Sequence, residues 1–269
     1  MRLGIGSWTY GWATGVSGYP LPACPLTAMD LIDRACSLGV DLVQIADNLP
    51  VGELLPSELT ALRDHATGEG IAIELGTVGF ERGHLLRYLK LAEFLRARLV
   101  RTLIRTPDGK PDLAYVEECI RSAGAEYRSA GVVLAIENYE QQTCADLASL
   151  VERVGNPFVG ICLDTVNSLG ALETPRQVVG TLGPHVQNLH IKDFTIRRLP
   201  SKMGFEVIGC PAGDGRLEIE WVFSELRRYG RNPSVILEQW TPWAGSLDST
   251  IALEEAWAAR SIGFLQGHR

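Results

Sequence analysis

The chain has 269 residues, of which 46% are hydrophobic and 21% are charged, so it can bury a substantial core and is neither disordered nor very small. Its formal net charge of -7 argues against a nucleic-acid partner, because such proteins present basic surface to the phosphates. No apolar run approaches the ~18 residues that would span a bilayer, so we expect a small dissolved ligand rather than a membrane.

The cysteines and the N-terminus both bear on the cellular compartment. The six cysteines are scattered and include no CxxC pair, which is typical of reduced thiols that mostly pack in the interior. The first residues, MRLGIGSW, run directly into a strand-like segment and do not show the pattern of a signal peptide. We therefore expect a cytoplasmic protein.

Eight short apolar or β-branched runs recur along the chain and predict eight strands. They are Leu3–Trp8, Asp41–Asp47, Ile71–Thr77, Leu99–Arg105, Val132–Tyr139, Val159–Ser168, Val186–Asp193 and Ser234–Trp240.

Amphipathic segments fill the intervals between these runs and predict helices, several of which close on glycine. Examples are LTAMDLIDRACSLG, SELTALRDHATGEG, DLAYVEECIRSAGAEYRSAG and RLEIEWVFSELRRYG. Eight strand–helix units without a linker predict one α/β domain over residues 1–269, a closed (β/α)8 TIM barrel. A doubly wound open sheet is the alternative, but it usually has fewer repeats, and no GxGxxG follows the first strand.

One long segment, FTIRRLPSKMGFEVIGCPAGDGR, separates the seventh predicted strand from the helix before the eighth. We expect it to be a loop. Loops of this length more often take part in binding or catalysis than serve only as connections.

Four of the predicted strands end in a residue that can bind a metal. Glu137 ends LAIE, Asp164 ends GICLD, His190 lies in NLHIKD and Glu238 ends VILE. In a closed barrel these are consecutive strands, and their C-terminal ends surround the active-site face. Three carboxylates crowded together repel one another, whereas a divalent cation holds them, so the set predicts one Mn²⁺, Mg²⁺, Co²⁺ or Zn²⁺.

Each of these residues also has an ordinary structural interpretation. A strand-terminal acid is usually solvated or caps the next helix, and a lone histidine is more often a hydrogen-bonded core residue than a ligand. The four together on consecutive strands favour a site.

The segments IENYE, CLDTVN, NLHIKDF, PAGDGRLEIEWVFSEL and VILEQW resemble the motif series of the sugar phosphate isomerase/epimerase family, within the xylose-isomerase-like TIM barrel superfamily. The resemblance implies that one divalent metal is held by Glu137, Asp164, His190 and Glu238. It further implies that Glu137 and Glu238 shuttle protons on opposite sides of the substrate. Two positions depart from the family's ketose epimerases: Asn167 stands where they have a substrate-contacting histidine, and Thr143 where some have a second glutamate.

The expected activity is therefore isomerisation or epimerisation of a small ketose through an enediolate, with two glutamates as acid and base. The alternative is a lyase of the same superfamily, either a decarboxylase of a 3-oxo sugar acid such as 3-oxo-isoapionate or a dehydratase. An inactive binding protein is a weaker interpretation, because no ligand is lost. A nuclease is disfavoured, because only His190 among five histidines ends a strand.

Further residues are candidates for binding a sugar or sugar acid. Arg105, Lys192 and Arg197 could hold an acid group, and Asn167 occupies the position of the family's substrate contact. Trp8 and Trp12, in the first loop, could cover the sugar's C–H surface. A homo-oligomer is compatible with the sequence, which indicates no interface.

Overall fold

The structure, a computed structural model, describes residues 1–268. Ten strands are formed in this part of the chain. They are β1 (Leu3–Gly6), β2 (Leu42–Ile45), β3 (Ala72–Val78), β4 (Leu99–Leu103), β5 (Val133–Glu137), β6 (Val159–Asp164), β7 (Val186–Ile191), β8 (Asp193–Arg198), β9 (Phe205–Cys210) and β10 (Ser234–Leu237).

Eight of these strands close into a parallel barrel in the order β1-β10-β7-β6-β5-β4-β3-β2. The predicted (β/α)8 barrel is therefore confirmed, and each predicted run coincides with one barrel strand. Seven of the eight runs extend past the strand ends, because the residues that follow those strands turn into the loops of the active-site face, whereas the run Ile71–Thr77 ends one residue short of the end of β3. The run Leu99–Arg105, for example, contains a strand that ends at Leu103.

Helices follow the strands and pack around the barrel. They are α1 (Gly11–Thr14), α2 (Ala28–Ser37), α3 (Pro56–Glu69), α4 (Arg82–Leu95), α5 (Leu113–Ala130), α6 (Cys144–Val154), α7 (Pro175–Leu182), α8 (Ile219–Arg228) and α9 (Leu247–His268). The local sequence explains their ends. For α5, the Asp112 side chain accepts the backbone N–H of Ala114 at 3.0 Å, and Gly131 ends the helix with a φ of 64°.

The main core lies between the barrel and its helices. The longer helices bury an apolar face, such as Leu31 and Ile32 of α2 or Val116 and Ile120 of α5, against the barrel. This layer fixes the strand positions. The strand ends therefore form a rigid platform for the side chains above them.

The segment expected to be a long loop is instead largely an antiparallel hairpin, in which β8 pairs with β9. Its base is held by Asp193, whose carboxylate accepts the backbone N–H groups of Phe194, Gly213, Gly215 and Leu217 at 2.8 to 3.0 Å. Cross-strand pairing satisfies the backbone groups that a loop of this length would leave to solvent.

Among the helices of residues 1–268, none combines the length and the apolar character that a bilayer crossing requires.

Candidate active site

Four buried side chains converge at the C-terminal ends of neighbouring strands. Nδ1 of His190 lies 3.3 Å from Glu238 Oε1, 3.5 Å from Glu137 Oε1 and 3.9 Å from Asp164 Oδ2. Strand register sets this arrangement, since Asp164 is paired with His190 across β6 and β7. The structure thus brings together the four residues that the strand-end pattern singled out.

Gln44 orients the imidazole of His190 from the side opposite the carboxylates. Its Nε2 lies 2.8 Å from the amide oxygen of Gln44, which can only accept a hydrogen bond. Nε2 therefore carries a proton, and Nδ1 is the nitrogen that points at the three carboxylates.

This donor set fits a divalent cation. One potential ligand atom from each of the four residues lies within 4.8 Å of the others. Glu238 Oε1 and His190 Nδ1 are buried and make no hydrogen bond within residues 1–268. Three carboxylates and one imidazole in so small a volume need positive charge between them, and their oxygen-rich chemistry suits a borderline-hard ion.

Two buried cations flank the cluster, and one of them was missed in the sequence. The Nε of Arg101 lies 2.7 Å from Glu137 Oε2, and both side chains are only 2% exposed. Arg101 also donates to the backbone oxygen of Thr77 at 3.2 Å. An arginine in the middle of the buried strand LVRTL was the available signal, because a charge in such a place requires a partner.

The second cation is Lys192, a predicted substrate-binding residue. Its Nζ lies 2.8 Å from Asp164 Oδ2 and 2.9 Å from Glu238 Oε2. The same ammonium donates to the side-chain oxygen of Asn167 at 3.3 Å and lies 5.7 Å from the centre of the Trp240 ring. Lys192 therefore connects two candidate metal ligands to the cavity wall.

These contacts shift the acid–base properties of the cluster. Burial alone would raise the pKa of the Glu137 carboxyl, but Arg101 and His190 outweigh it and lower that pKa to about 2. For Glu238, attraction to His190 and Lys192 likewise overcomes burial and lowers the pKa. Burial raises the pKa of Asp164, and repulsion from the two glutamates adds to the increase. Burial opposes the charged form of His190, yet Glu238 and Glu137 raise its pKa.

Asn167 joins the two sides of the cluster. Its amide nitrogen donates to Glu137 Oε1 at 2.9 Å, while its amide oxygen accepts from Lys192. Its backbone N–H and that of Val166 donate to Asp164 Oδ1 at 2.8 and 2.9 Å, which fixes that carboxylate. Thr143, the other departure from the epimerase pattern, is exposed and caps α6 by accepting the N–H of Asp146.

A cavity of about 620 Å³ opens above the cluster. Arg105, Asn167, Lys192 and Trp8, all predicted substrate-binding residues, line it. Trp8 is 38% exposed, and its indole N–H donates to Asp47 at 3.3 Å. Trp240, Tyr139 and Val207 also line the cavity and were not singled out in the sequence.

Two predicted substrate-binding residues lie elsewhere. Arg197 points to the opposite face of the hairpin from the cavity-lining Val207, since Val207 pairs with Ile196 and neighbouring side chains alternate in direction. It forms an ion pair with Glu206, to which its Nε donates at 2.8 Å.

Trp12 packs in an aromatic cluster with Tyr19 and Trp243, at ring-centre distances of 4.8 and 5.4 Å. Its indole N–H donates to the backbone oxygen of Thr241 at 2.7 Å. Trp12 therefore attaches the first loop to the segment after β10. Among residues 1–268, neither Trp12 nor Arg197 is part of the cavity lining.

Comparison with known proteins agrees with this architecture. The chain is 34% identical over 265 residues to the 3-oxo-isoapionate decarboxylase of Pectobacterium atrosepticum. The alignment covers 98% of this chain and 95% of that protein. It superposes on the structure of D-psicose 3-epimerase with D-tagatose from Clostridium cellulolyticum H10 with a TM-score of 0.74, at 18% identity over 100% of this chain and 99% of that one.

A second structure is similar: a xylose isomerase-like TIM barrel protein from Mycobacterium smegmatis in complex with magnesium, with a TM-score of 0.71, 17% identity and coverage of 97% and 96%. The family model described as xylose isomerase-like TIM barrel matches residues 32–268. The chain therefore belongs to the xylose isomerase-like TIM barrel family.

Proposed function

We propose that this chain is a divalent-metal-dependent decarboxylase of a small 3-oxo sugar acid. The observation that carries the proposal is that both candidate acid–base glutamates are paired with buried cations at the cavity wall. Arg101 lies 2.7 Å from Glu137, and Lys192 lies 2.9 Å from Glu238. The identity of 34% to a 3-oxo-isoapionate decarboxylase over nearly the full length supports the same reaction.

The ion pairs matter because the two candidate reactions need different groups. Epimerisation and isomerisation begin when a base removes a proton from carbon, and a carboxylate stabilised by a buried cation is a weak base. Decarboxylation of a 3-oxo acid needs no base. The bond to the carboxylate carbon breaks, carbon dioxide leaves, and the electron pair moves toward the keto oxygen.

The metal would supply the electron sink. A divalent ion held by Glu137, Asp164, His190 and Glu238 would act as a Lewis acid toward the keto oxygen and stabilise the enolate. The oxygen-rich donor set favours Mg²⁺ or Mn²⁺ over Co²⁺ or Zn²⁺, and the magnesium in the Mycobacterium smegmatis protein supports this choice.

The cavity wall supplies binding groups for an acid. Arg105 is exposed at the wall and presents a guanidinium that can clamp a carboxylate. Trp8 and Trp240 add aromatic surface for the C–H face of the sugar. In this proposal, Arg105 binds the substrate's carboxylate as it enters, and the aromatic rings exclude water from the enolate.

The enolate must then gain a proton at carbon. We assign this delivery to Glu238, which faces the cavity and lies beside the Lys192 ammonium at 2.9 Å. Glu238 takes up a proton from solvent in the open cavity and passes it to the carbon. The product is a ketose with one carbon fewer than the substrate acid.

The test is release of carbon dioxide. Purified protein is incubated with Mg²⁺ or Mn²⁺ and 3-oxo-isoapionate, and carbon dioxide is measured with and without prior chelation of the metal. We expect metal-dependent release that a Glu238→Gln variant loses. Absence of carbon dioxide from a panel of 3-oxo sugar acids would contradict the proposal.

Epimerisation or isomerisation of a ketose is the second candidate. It is favoured by one feature: Glu137 and Glu238 approach the same His190 nitrogen at 3.5 and 3.3 Å, so both could reach a substrate held there. The discriminating measurement is exchange in heavy water. Deuterium incorporation into a ketose without loss of carbon would favour this reaction over decarboxylation.

A further inference from the structure

A second group of polar side chains lies inside the barrel, below the four candidate ligands. Gln44 of β2 and Asn188 of β7 are fully buried, and Glu74 of β3 is 7% exposed. Nothing in the reaction described above uses these three residues. Buried polar groups of this kind are costly unless each is hydrogen-bonded, so their arrangement is informative.

The hydrogen bonds fix the direction of the Gln44 amide. Its nitrogen donates to Asn188 Oδ1 at 3.0 Å and to Glu74 Oε2 at 3.2 Å. Turning the amide over would place its oxygen against those two acceptors. The oxygen of Gln44 must therefore face the other way, toward His190 Nε2 at 2.8 Å.

Asn188 is fixed by its own partners. Its nitrogen donates to Glu74 Oε2 at 3.2 Å and to the hydroxyl of Ser234 at 2.8 Å, and its oxygen accepts from the Cys162 thiol at 3.0 Å. Each amide thus has acceptors on its nitrogen side and donors on its oxygen side. Glu74 sets the orientation of both amides, because its carboxylate can accept a hydrogen bond from each of them.

We propose that Gln44 is a positioning residue that holds His190 with its proton on Nε2, so that Nδ1 is free to bind the metal, and that Glu74 and Asn188 hold Gln44 in this orientation. The inference rests on the metal centre of the proposed function. It adds the residues that keep the ring proton of one ligand, His190, away from the nitrogen that binds the ion. Partners of this kind typically affect metal affinity by about 10- to 100-fold.

The experiment measures Mn²⁺ binding to the whole protein without substrate, by electron paramagnetic resonance of the free ion. Gln44→Leu removes the acceptor while keeping a side chain of similar size. We expect it to weaken Mn²⁺ binding about 10- to 100-fold. The matched control is Gln142→Leu, because Gln142 is also buried but donates to the backbone oxygen of Ile104 and touches no candidate ligand.

A double variant distinguishes positioning from packing. Gln44→Glu combined with Glu74→Gln exchanges the two groups. An oxygen at position 44 still accepts from His190 Nε2, the amide at position 74 can donate to position 44, and the Asn188 amide can turn over so that its nitrogen donates to position 44. We expect this variant to retain Mn²⁺ affinity within a few-fold of the wild type. In ¹⁵N spectra of the Mg²⁺-loaded double variant, the His190 ring should keep its proton on Nε2.

Two results would overturn the inference: wild-type Mn²⁺ affinity in folded Gln44→Leu, or an equal loss of affinity in Gln142→Leu. The outcome is separable from that of the proposed function. A protein that binds Mn²⁺ through this arrangement yet releases no carbon dioxide would contradict the decarboxylase proposal alone.

Discussion

Glu137 and Glu238 face the same metal-capable centre, but a different cation accompanies each one. Arg101 and the amide of Asn167 contact the two oxygens of Glu137, at 2.7 and 2.9 Å, whereas Oε1 of Glu238 makes no hydrogen bond within residues 1–268. This difference assigns Glu137 to holding the ion, and Glu238 to moving a proton as well as holding the ion.

The assignment predicts different defects in two variants. Glu238→Gln should lower kcat about 10²- to 10⁴-fold, the usual contribution of an acid–base group, while a folded protein remains. Glu137→Gln should mainly weaken metal binding, so its activity should recover in part at high Mn²⁺ concentration. Steady-state kinetics across a range of Mn²⁺ concentrations checks both. Near wild-type kcat in Glu238→Gln would contradict the assignment.

The buried ion pair of Arg101 and Glu137 also affects the free energy of unfolding. Replacing it by methionine leaves Glu137 buried without its cation, and losing one partner of a buried pair costs about 3–5 kcal/mol. Urea unfolding of metal-free protein measures this. Arg105→Gln is the control, because Arg105 is exposed on the same strand's loop and should change stability by less than about 0.5 kcal/mol. Equal stability of Arg101→Met and wild type would show that the pair is not a stabilising contact.

At the scale of elements, the hairpin of β8 and β9 forms part of the cavity wall through Val207, and Asp193 holds its base. Asp193→Ala should destabilise the hairpin, since four backbone N–H groups lose an acceptor and hydrogen bonds to a charged group contribute about 1.5–3 kcal/mol each.

Limited proteolysis measures this effect as faster cleavage between residues 199 and 204, the connection of the hairpin. Asp214→Asn, which alters only the contact with Arg260 at the surface, is the control and should be cleaved at the wild-type rate. Unchanged cleavage of Asp193→Ala would contradict the role of Asp193.

The strands were predictable from the sequence because buried parallel strands form continuous apolar runs, such as LAI before Glu137. The four candidate ligands were predictable for the same reason, since each follows such a run. Arg101 and Gln44 were not singled out, because their roles depend on partners more than 30 residues away in the chain. The sequence does not indicate the hairpin, because its two strands are only partly buried and lack a clear apolar alternation.

In the whole molecule, the C-terminal helix α9 contacts the first loop through Glu254. This carboxylate is 1% exposed and accepts the N–H groups of Trp12 and Ala13 at 3.0 and 3.1 Å. Burial raises the pKa of Glu254 to about 7. The folded state therefore favours the protonated carboxyl more than the unfolded state does.

This raised pKa predicts how stability depends on pH. The contribution of Glu254 is fully present below its unfolded pKa of 4.5 and is lost as the pH rises to about 7. Relative to Glu254→Gln, the wild type should lose stability over that interval, by at most about 1.4 kcal/mol per pH unit. Denaturant unfolding of both proteins between these pH values checks it. A constant difference would contradict the prediction.

If Glu137, Asp164, His190 and Glu238 hold one divalent ion, a crystal structure of the protein grown with Mn²⁺ and recorded at the manganese absorption edge will show it. We expect a single anomalous peak among these four side chains, bound to His190 through Nδ1. An absent peak, or a peak elsewhere with these four side chains turned away from one another, would contradict it.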